Sequence, residues 1–459
     1  MAPKLETAFR GHSRPRWLVS GGIIILLFFV YSTFQATNLK HISFRPQFPS
    51  SWTFDTLRDE RNLGLSDAQC DAAFPGLYAE LERARDYHAL NGGINISQIA
   101  IWTGEPGITH AQTRVLLYNG NLHVVGDKRG YARRERVGAA LSNLHRAISA
   151  IPDARLLPNI EFTIDTLDDP NPRRKERRPG RTAWSWDRHV SDEETWVMPD
   201  FGGWSYLGGS LAGGVMGYNS FRDGVEELEA DLASEGRKHG GDSWEAKVEK
   251  ALWRGTVALG NSDAPRTRQD LVKAADGRSW SDVQAGNFVK QVEHCRWQYL
   301  IHTEGFAWGG RLRYLLNCNS SVIIPWPLHF VAHFYPLLQS EGSEQNFIPV
   351  KSDWSDLDET IESYRSDADS ARAIASRSAA LFHDRYLTPA AEACYLRRMI
   401  KLYAEVQNFE PKLWKEVELE EGMLAKTPRG YDWEYFSYKE PCNGPPDPNV
   451  DASKVDFEE

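Results

Sequence analysis

Residues 299–324 read Tyr299-Leu300-Ile301-His302-Thr303-Glu304-Gly305-Phe306-Ala307-Trp308-Gly309-Gly310-Arg311-Leu312-Arg313-Tyr314-Leu315-Leu316-Asn317-Cys318-Asn319-Ser320-Ser321-Val322-Ile323-Ile324. Tyr299 to His302 has the apolar run of a buried strand. Thr303 to Ala307 reads as a loop, Trp308 to Asn317 as a helix, and Ser321 to Ile324 as a second strand. A helix between two strands predicts parallel pairing, because a parallel neighbour needs a crossover. The same alternation extends backwards. Ala251-Leu252-Trp253 runs into Arg254-Gly255, and a helix carrying Arg268 and Leu271 follows. The second half of the chain therefore reads as α/β with a parallel sheet.

Towards the N-terminus, Gly240-Gly241 closes a charged helical stretch, Val225 to Lys238, and marks a domain boundary. Before it, Arg114 to Tyr118, Asn119-Gly120 and Leu122 to Val125 predict a hairpin. Gly138 to Ile151 is helical, with Leu141, Leu144 and Ile148 on one face. Ile160 to Ile164 is a strand that ends in an acidic loop, Asp165-Thr166-Leu167-Asp168-Asp169-Pro170. Dense helical pattern begins near Ala68. Gly202 to Gly217 carries seven glycines but lacks the strand–GxGxxG–helix context of a dinucleotide site, so it reads as a loop. Towards the C-terminus, Ser366 to Glu420 is largely helical, and the Pro- and Asp-rich end from Glu440 reads as disordered.

Trp17 to Phe34 contains no charged residue. Such a helix spans about 27 Å, near the thickness of a thin bilayer core. Lys4, Arg10, Arg14 and Arg16 precede it against a single Glu6, a bias that keeps the N-terminus cytosolic. Phe34-Gln35-Ala36 is a poor cleavage site, which favours an uncleaved anchor over a signal peptide. The expected layout is a cytosolic tail (1–16), a transmembrane anchor (17–34), a stem (35–67), two α/β domains (68–240 and 241–365), a helical segment (366–439) and a disordered tail (440–459).

The 459 residues include 53 Lys+Arg and 63 Asp+Glu, a net charge of −10. That acidity argues against nucleic acid as a partner. The single long apolar run excludes a polytopic membrane protein. Sixteen tryptophans suit either carbohydrate stacking or a large core. The five cysteines, Cys70, Cys295, Cys318, Cys394 and Cys442, allow at most two bridges within the chain and contain no CxxC. Two sequons, Asn95-Ile96-Ser97 and Asn319-Ser320-Ser321, agree with a lumenal location.

Three groups of residues could carry chemistry. The first is Asp165, Asp168 and Asp169, where a carboxylate at a strand end could take a proton from a hydroxyl, although Asp before Pro is also ordinary turn chemistry. The second is Arg254, Arg266, Arg268, Arg311 and Arg313, whose loop–helix contexts suit a phosphate or diphosphate. The third is the basic run Arg173-Arg174-Lys175-Glu176-Arg177-Arg178, with Arg181 beyond it. It is either a solvated loop or a handle for an acidic acceptor. Metal chelation has little support: Asp367-Ala368-Asp369 lies in a helical stretch, and His329 and His333 enclose no Glu. No G-x-S-x-G elbow is present.

The order and spacing of several short motifs resemble glycosyltransferase family 90, which includes fungal capsule-associated xylosyltransferases and animal protein O-glucosyltransferases. The resemblance runs from about Arg114 to Val406. It rests on Arg114 to Leu122, Leu144-His145-Arg146-Ala147, Asp168-Asp169-Pro170, Pro199-Asp200-Phe201-Gly202 and Trp204-Ser205. It continues through Trp244-Glu245-Ala246-Lys247, Trp253-Arg254-Gly255-Thr256, Arg268, Gly305, Trp308 and Arg311 to Leu316. His333-Phe334-Tyr335-Pro336 and Phe347 to Lys351 complete it. Gly310, Ala332 and Asn346 depart from the family pattern, and Gly208 to Gly217 resembles an insertion.

The resemblance implies a GT-B-like α/β fold: two Rossmann-like domains, acceptor-side then donor-side, with a helical C-terminal segment and the N-terminal transmembrane helix. It implies an inverting, metal-independent transfer of xylose or glucose from a UDP-sugar to a hydroxyl of a glycan or glycoprotein, without a further cofactor. Carried over by position, Asp168 is the expected base. Arg254, Gly255, Arg268, Gly305, Arg311 and Phe334 bind the donor, and Asp165, Asp169 and Trp204 bind the acceptor. An N-terminal anchor places such an enzyme in the Golgi or endoplasmic reticulum membrane with its catalytic part lumenal. The alternative is an inactive, membrane-anchored glycan-binding protein of the same fold.

Overall fold

The computed structural model describes residues 52–101, 112–128, 134–168, 181–201, 218–307, 309–418 and 423–438. The expected tail, anchor and most of the stem lie outside these residues, as do Asp169, Trp204, residues 173–178 of the basic run and the segment 440–459. Among the described residues no helix is long and apolar enough to cross a membrane.

The strands are, in chain order, β1 (Gln112–Tyr118), β2 (Asn121–Lys128), β3 (Ile160–Asp165), β4 (Trp184–Ser185), β5 (Asp187–His189), β6 (Trp196–Val197), β7 (Val248–Gly255) and β8 (Ser281–Ala285). They continue as β9 (Trp297–Ile301), β10 (Ser321–Pro325), β11 (Phe330–Ala332), β12 (Ile348–Val350), β13 (Trp414–Glu418), β14 (Leu424–Pro428) and β15 (Tyr431–Asp432). The structure is mixed α/β, and it contains parallel sheets.

The first sheet runs β15-β2-β1-β3-β4-β6. Asn119 and Gly120 have φ of 49° and 80° between β1 and β2, the left-handed pair that a two-residue hairpin turn demands. A β-carbon on Gly120 would fall 2.7 Å from that of Ala154, so the turn also needs glycine for space. β3 is buried along its whole length. Phe162 stacks on Trp184 with ring centroids 3.7 Å apart. The helix Pro389–Val406 packs on this half. Its Tyr395 hydroxyl donates to the Val197 carbonyl (2.8 Å) and its Tyr403 hydroxyl to that of Glu161 (3.1 Å). Thr388 caps that helix through the Ala391 N–H, with proline at the first turn.

The second sheet is parallel throughout, in the order β12-β10-β9-β7-β8. Ala251, Trp253, Tyr299, Ile301, Ile323 and Ile348 meet Leu271, Ala275, Leu357, Ile361 and Ile374 from the helices in one buried cluster. The chain leaves β7 for β8 on one side and returns to β9 on the other. Strand order therefore reverses between β7 and β9, and in such sheets ligands bind beyond the carboxyl ends of the strands at the reversal.

The two halves are tied together by a small antiparallel pair. Phe330, Val331 and Ala332 of β11 face His189, Arg188 and Asp187 of β5. Disulfides join Cys70 to Cys394 and Cys295 to Cys318, as an oxidising compartment allows. The helix at residue 311 is shorter than its sequence pattern, spanning Arg311–Leu315. The helical pattern expected over 366–439 is interrupted after Val406 and resumes only in the short helix Trp433–Tyr438. A polar, exposed hairpin of β13 and β14 follows Val406, and β15 then joins the first sheet.

Candidate active site

The carboxyl ends of β7 and β9 bring together most of the residues expected to bind a donor. Arg268 lies on the helix Thr267–Ala275. Its Nε donates to the Glu304 carbonyl (3.0 Å) and its Nη1 to the Thr256 carbonyl (3.1 Å). Arg311 donates from Nη1 to the Arg254 carbonyl (2.5 Å), and its guanidinium carbon lies 5.7 Å from the centroid of the Trp253 ring. Among the described residues neither arginine has a carboxylate partner. Burial pushes the Arg268 pKa down to about 10. Burial and the charge of Arg268 push Arg311 down to about 9. The direction marks two cations held without counter-charge, an arrangement that favours an anion between or beside them.

Both glycines at the site lie close to neighbouring side chains. A β-carbon on Gly305 would sit 2.7 Å from Arg268 Nη2, and one on Gly255 would sit 3.2 Å from Arg311 Nη2 and 2.7 Å from the Trp253 ring.

Arg254 belongs to the same strand end but is neutralised. Its Nη2 donates to Asp282 Oδ1 (2.7 Å), and Asp282 Oδ2 accepts from Trp297 Nε1 (3.0 Å). Arg313 is completely buried and pairs with Asp200 (3.0 Å) and with Glu392. It is a structural tie between distant segments. Arg266 is exposed, 3.7 Å from Asp270. Phe334 is fully buried, its ring packed on those of His333, Tyr335 and Phe382. The Phe334 side chain is thus packed in the core.

At the end of β3, Asp168 keeps its side chain 40% exposed and accepts from Arg136 Nη1 at 2.6 Å. Arg136 also donates to the Thr166 carbonyl (3.2 Å) and lies over the Phe201 ring, 4.6 Å from its centroid. The guanidinium thus fixes one carboxylate oxygen. Asp165 is buried. Its carboxylate accepts from Gln112 Nε2 and from the Leu167 N–H, each at 2.9 Å, which shapes the turn that presents Asp168.

A family model, "Glycosyl transferase family 90", matches residues 97–454. The chain belongs to this family. It is 28% identical over 282 residues to protein O-glucosyltransferase 2 of Danio rerio, covering 58% of this chain and 51% of that protein. It is 27% identical over 178 residues to protein O-glucosyltransferase 1 of Rattus norvegicus, covering 36% and 44%. It is 21% identical over 285 residues to O-glucosyltransferase rumi of Drosophila melanogaster, covering 57% and 64%. The chain thus spans about half the length of the curated relatives it matches.

Some residues of this family 90 site escaped the sequence reading. Arg136 sits inside an ordinary charged helix, so nothing in its neighbourhood marks it as the partner of Asp168. Glu304 directly precedes Gly305. Its carboxylate accepts from the backbone N–H groups of His329 and Phe330, each at 2.9 Å, and faces His329 Nδ1 at 2.8 Å. It holds the segment that leads into β11. The sequence signal was available here, a buried-type acid between an apolar strand and a glycine.

Proposed function

We propose that this chain transfers a sugar, xylose or glucose, from a UDP-sugar to a hydroxyl of a glycan or protein, with inversion and without a metal ion. The observation that carries this reading is the Arg268–Arg311 pair, two guanidinium groups that have no carboxylate partner among the described residues, at the reversal point of a parallel sheet. A diphosphate suits that place by charge, and Arg offers it paired N–H donors. Asp168 takes the proton of the acceptor hydroxyl on its carboxylate, with Arg136 orienting the group. The acceptor oxygen attacks the anomeric carbon while the bond to the diphosphate oxygen breaks. The electron pair departs on the diphosphate, and Arg268 and Arg311 stabilise that charge. Attack opposite the leaving group inverts the anomeric centre.

The names of the relatives favour a protein hydroxyl as acceptor, whereas an N-terminal anchor favours a Golgi enzyme acting on glycans. The two-domain GT-B arrangement belongs to the same proposal, with the first half serving the acceptor and the second the donor. Ala332, where the family carries Glu, is buried on β11 opposite Asp187, itself fully buried. An acid therefore remains close to that position.

The test is UDP release and sugar transfer with a panel of UDP-sugars, in wild type, Asp168→Asn and Arg311→Ala. Transfer from one UDP-sugar, lost in both variants and unaffected by EDTA, supports the reading. Glycan binding without UDP release in the wild type would establish the inactive alternative, and loss in EDTA restored by manganese would remove metal independence.

A further inference from the structure

One buried group beside the arginine pair has no role in the reaction just described, and the inference about it rests on the nucleotide-sugar reading. His302 follows β9 directly and is completely buried. Its backbone N–H donates to the Ile323 carbonyl (2.9 Å), which fixes it against β10. Among the described residues neither ring nitrogen has a hydrogen-bond partner. The turn at Gly309, with φ of 66°, lies against the ring: a β-carbon there would sit 3.1 Å from His302 Cε1. The charged groups that act on the ring are Arg311 and Arg268, from the two helices that follow β9 and β7. With burial as the larger cause, they hold its pKa well below the ordinary imidazole value.

The other histidines nearby are committed. The His294 ring is hydrogen-bonded to the Val289 carbonyl, and burial, Arg311 and Arg254 push its pKa down to about 4. His329 faces Glu304 through Nδ1. His302 is thus a buried imidazole two residues before Glu304 and three before Gly305, which meet Arg268. It lies against the Gly309 turn that leads to Arg311, and neither cation has a carboxylate partner among the described residues. A nucleoside diphosphate brings about two or more negative charges to those cations. It removes the repulsion that now opposes an imidazolium and replaces it with attraction.

We propose that His302 is a third member of the anion pocket: when a nucleoside diphosphate binds against Arg268 and Arg311, the imidazole takes up one proton from solvent and keeps it while the anion is bound. Both ring nitrogens then become donors, and the pocket gains a cation only when it is occupied. Linkage requires the converse, that binding tightens as pH falls through the imidazole range.

The experiment is calorimetric titration of the full chain with UDP at pH 6.5, in buffers of different ionisation enthalpy, for wild type, His302→Asn and His294→Asn. The difference between proteins cancels the titration of UDP itself. Wild type is expected to take up about half a proton or more beyond His302→Asn. Its affinity should tighten about fivefold more than that variant's between pH 8 and pH 6, and His294→Asn should behave as wild type. Equal proton uptake and equal pH dependence in wild type and His302→Asn would overturn the assignment while UDP binding itself leaves the nucleotide-sugar reading standing. A folded wild type that binds no UDP would overturn both. Should His302→Asn not fold, nitrogen NMR of the histidine rings in wild type decides: one ring must become protonated on UDP addition, and unchanged ring signals reject the proposal.

Discussion

At the end of β3 each described carboxylate is met by a donor, whereas at the ends of β7 and β9 two guanidinium groups donate, among the described residues, to carbonyl oxygens and to no carboxylate. Asp168 has Arg136, and Asp165 has Gln112 and the Leu167 N–H. Arg268 has the Glu304 and Thr256 carbonyls, and Arg311 has that of Arg254. In the proposed mechanism the first arrangement positions the base, and the second, two cations without a carboxylate among the described residues, takes the anion.

The sharpest way to break this comparison is to remove the proton acceptor and leave the cations. Asp168→Asn should lower kcat by about three orders of magnitude, the upper part of the range for a general base, and leave UDP affinity within about twofold. A comparable loss of UDP affinity would show that the carboxylate and the arginines do not act separately. Arg136→Ala should fall between wild type and Asp168→Asn in kcat, because it frees the carboxylate without removing it.

Arg313 sharpens the contrast between structural and ligand-seeking arginines. Its charge is shared between Asp200 and Glu392, both buried. Arg313→Met removes the guanidinium that two buried carboxylates share and should cost about 3 kcal/mol of stability. Thermal unfolding of the variant at pH 7 reads the effect. By contrast Arg311→Ala should unfold near the wild-type temperature, since no buried carboxylate is orphaned. It should nevertheless lose about a hundredfold in kcat/KM for the donor. Equal destabilisation of the two variants would erase the distinction.

The parallel sheet was legible through its central strands, which are apolar runs separated by helix-forming stretches; the polar, partly exposed edge strand Ser281–Ala285 was not. Tyr299–Leu300–Ile301 and Ser321–Val322–Ile323–Ile324 are buried on both faces, and such runs announce themselves. The donor-side arginines were legible as residues in a motif, not as a sorted set. Sequence cannot say that Arg254 meets Asp282 while Arg268 meets only carbonyls, because those pairings are made by crossovers that bring distant segments together. Phe334 is a similar case: its motif is visible in the sequence, its burial is not. The C-terminal hairpin was missed because Trp414–Glu418 and Leu424–Pro428 are exposed, polar strands with weak apolar alternation. The disulfide pairs follow from no spacing rule, and five cysteines left them open.

That C-terminal return offers the smallest test of the same comparison. Glu161 in β3 is fully buried and is met by two guanidinium groups: Arg114 from β1 at 2.6 Å, and Arg429 at 2.7 and 3.0 Å. Arg429 lies between β14 and β15, so its ion pair ties the hairpin to the sheet. Unlike Arg313, it shares its carboxylate with a second arginine, and Arg429→Ala leaves that carboxylate paired. The cost should therefore be about 1 kcal/mol, read as a small fall in unfolding temperature with donor kinetics unchanged. The double variant with Arg114→Ala should lose more than the sum of the two single losses, because only then is Glu161 buried without a cation. Simple additivity would mean that each arginine acts through its own packing. The rule that an unpaired buried charge dominates the energetics would then fail in the first sheet even if it holds in the second.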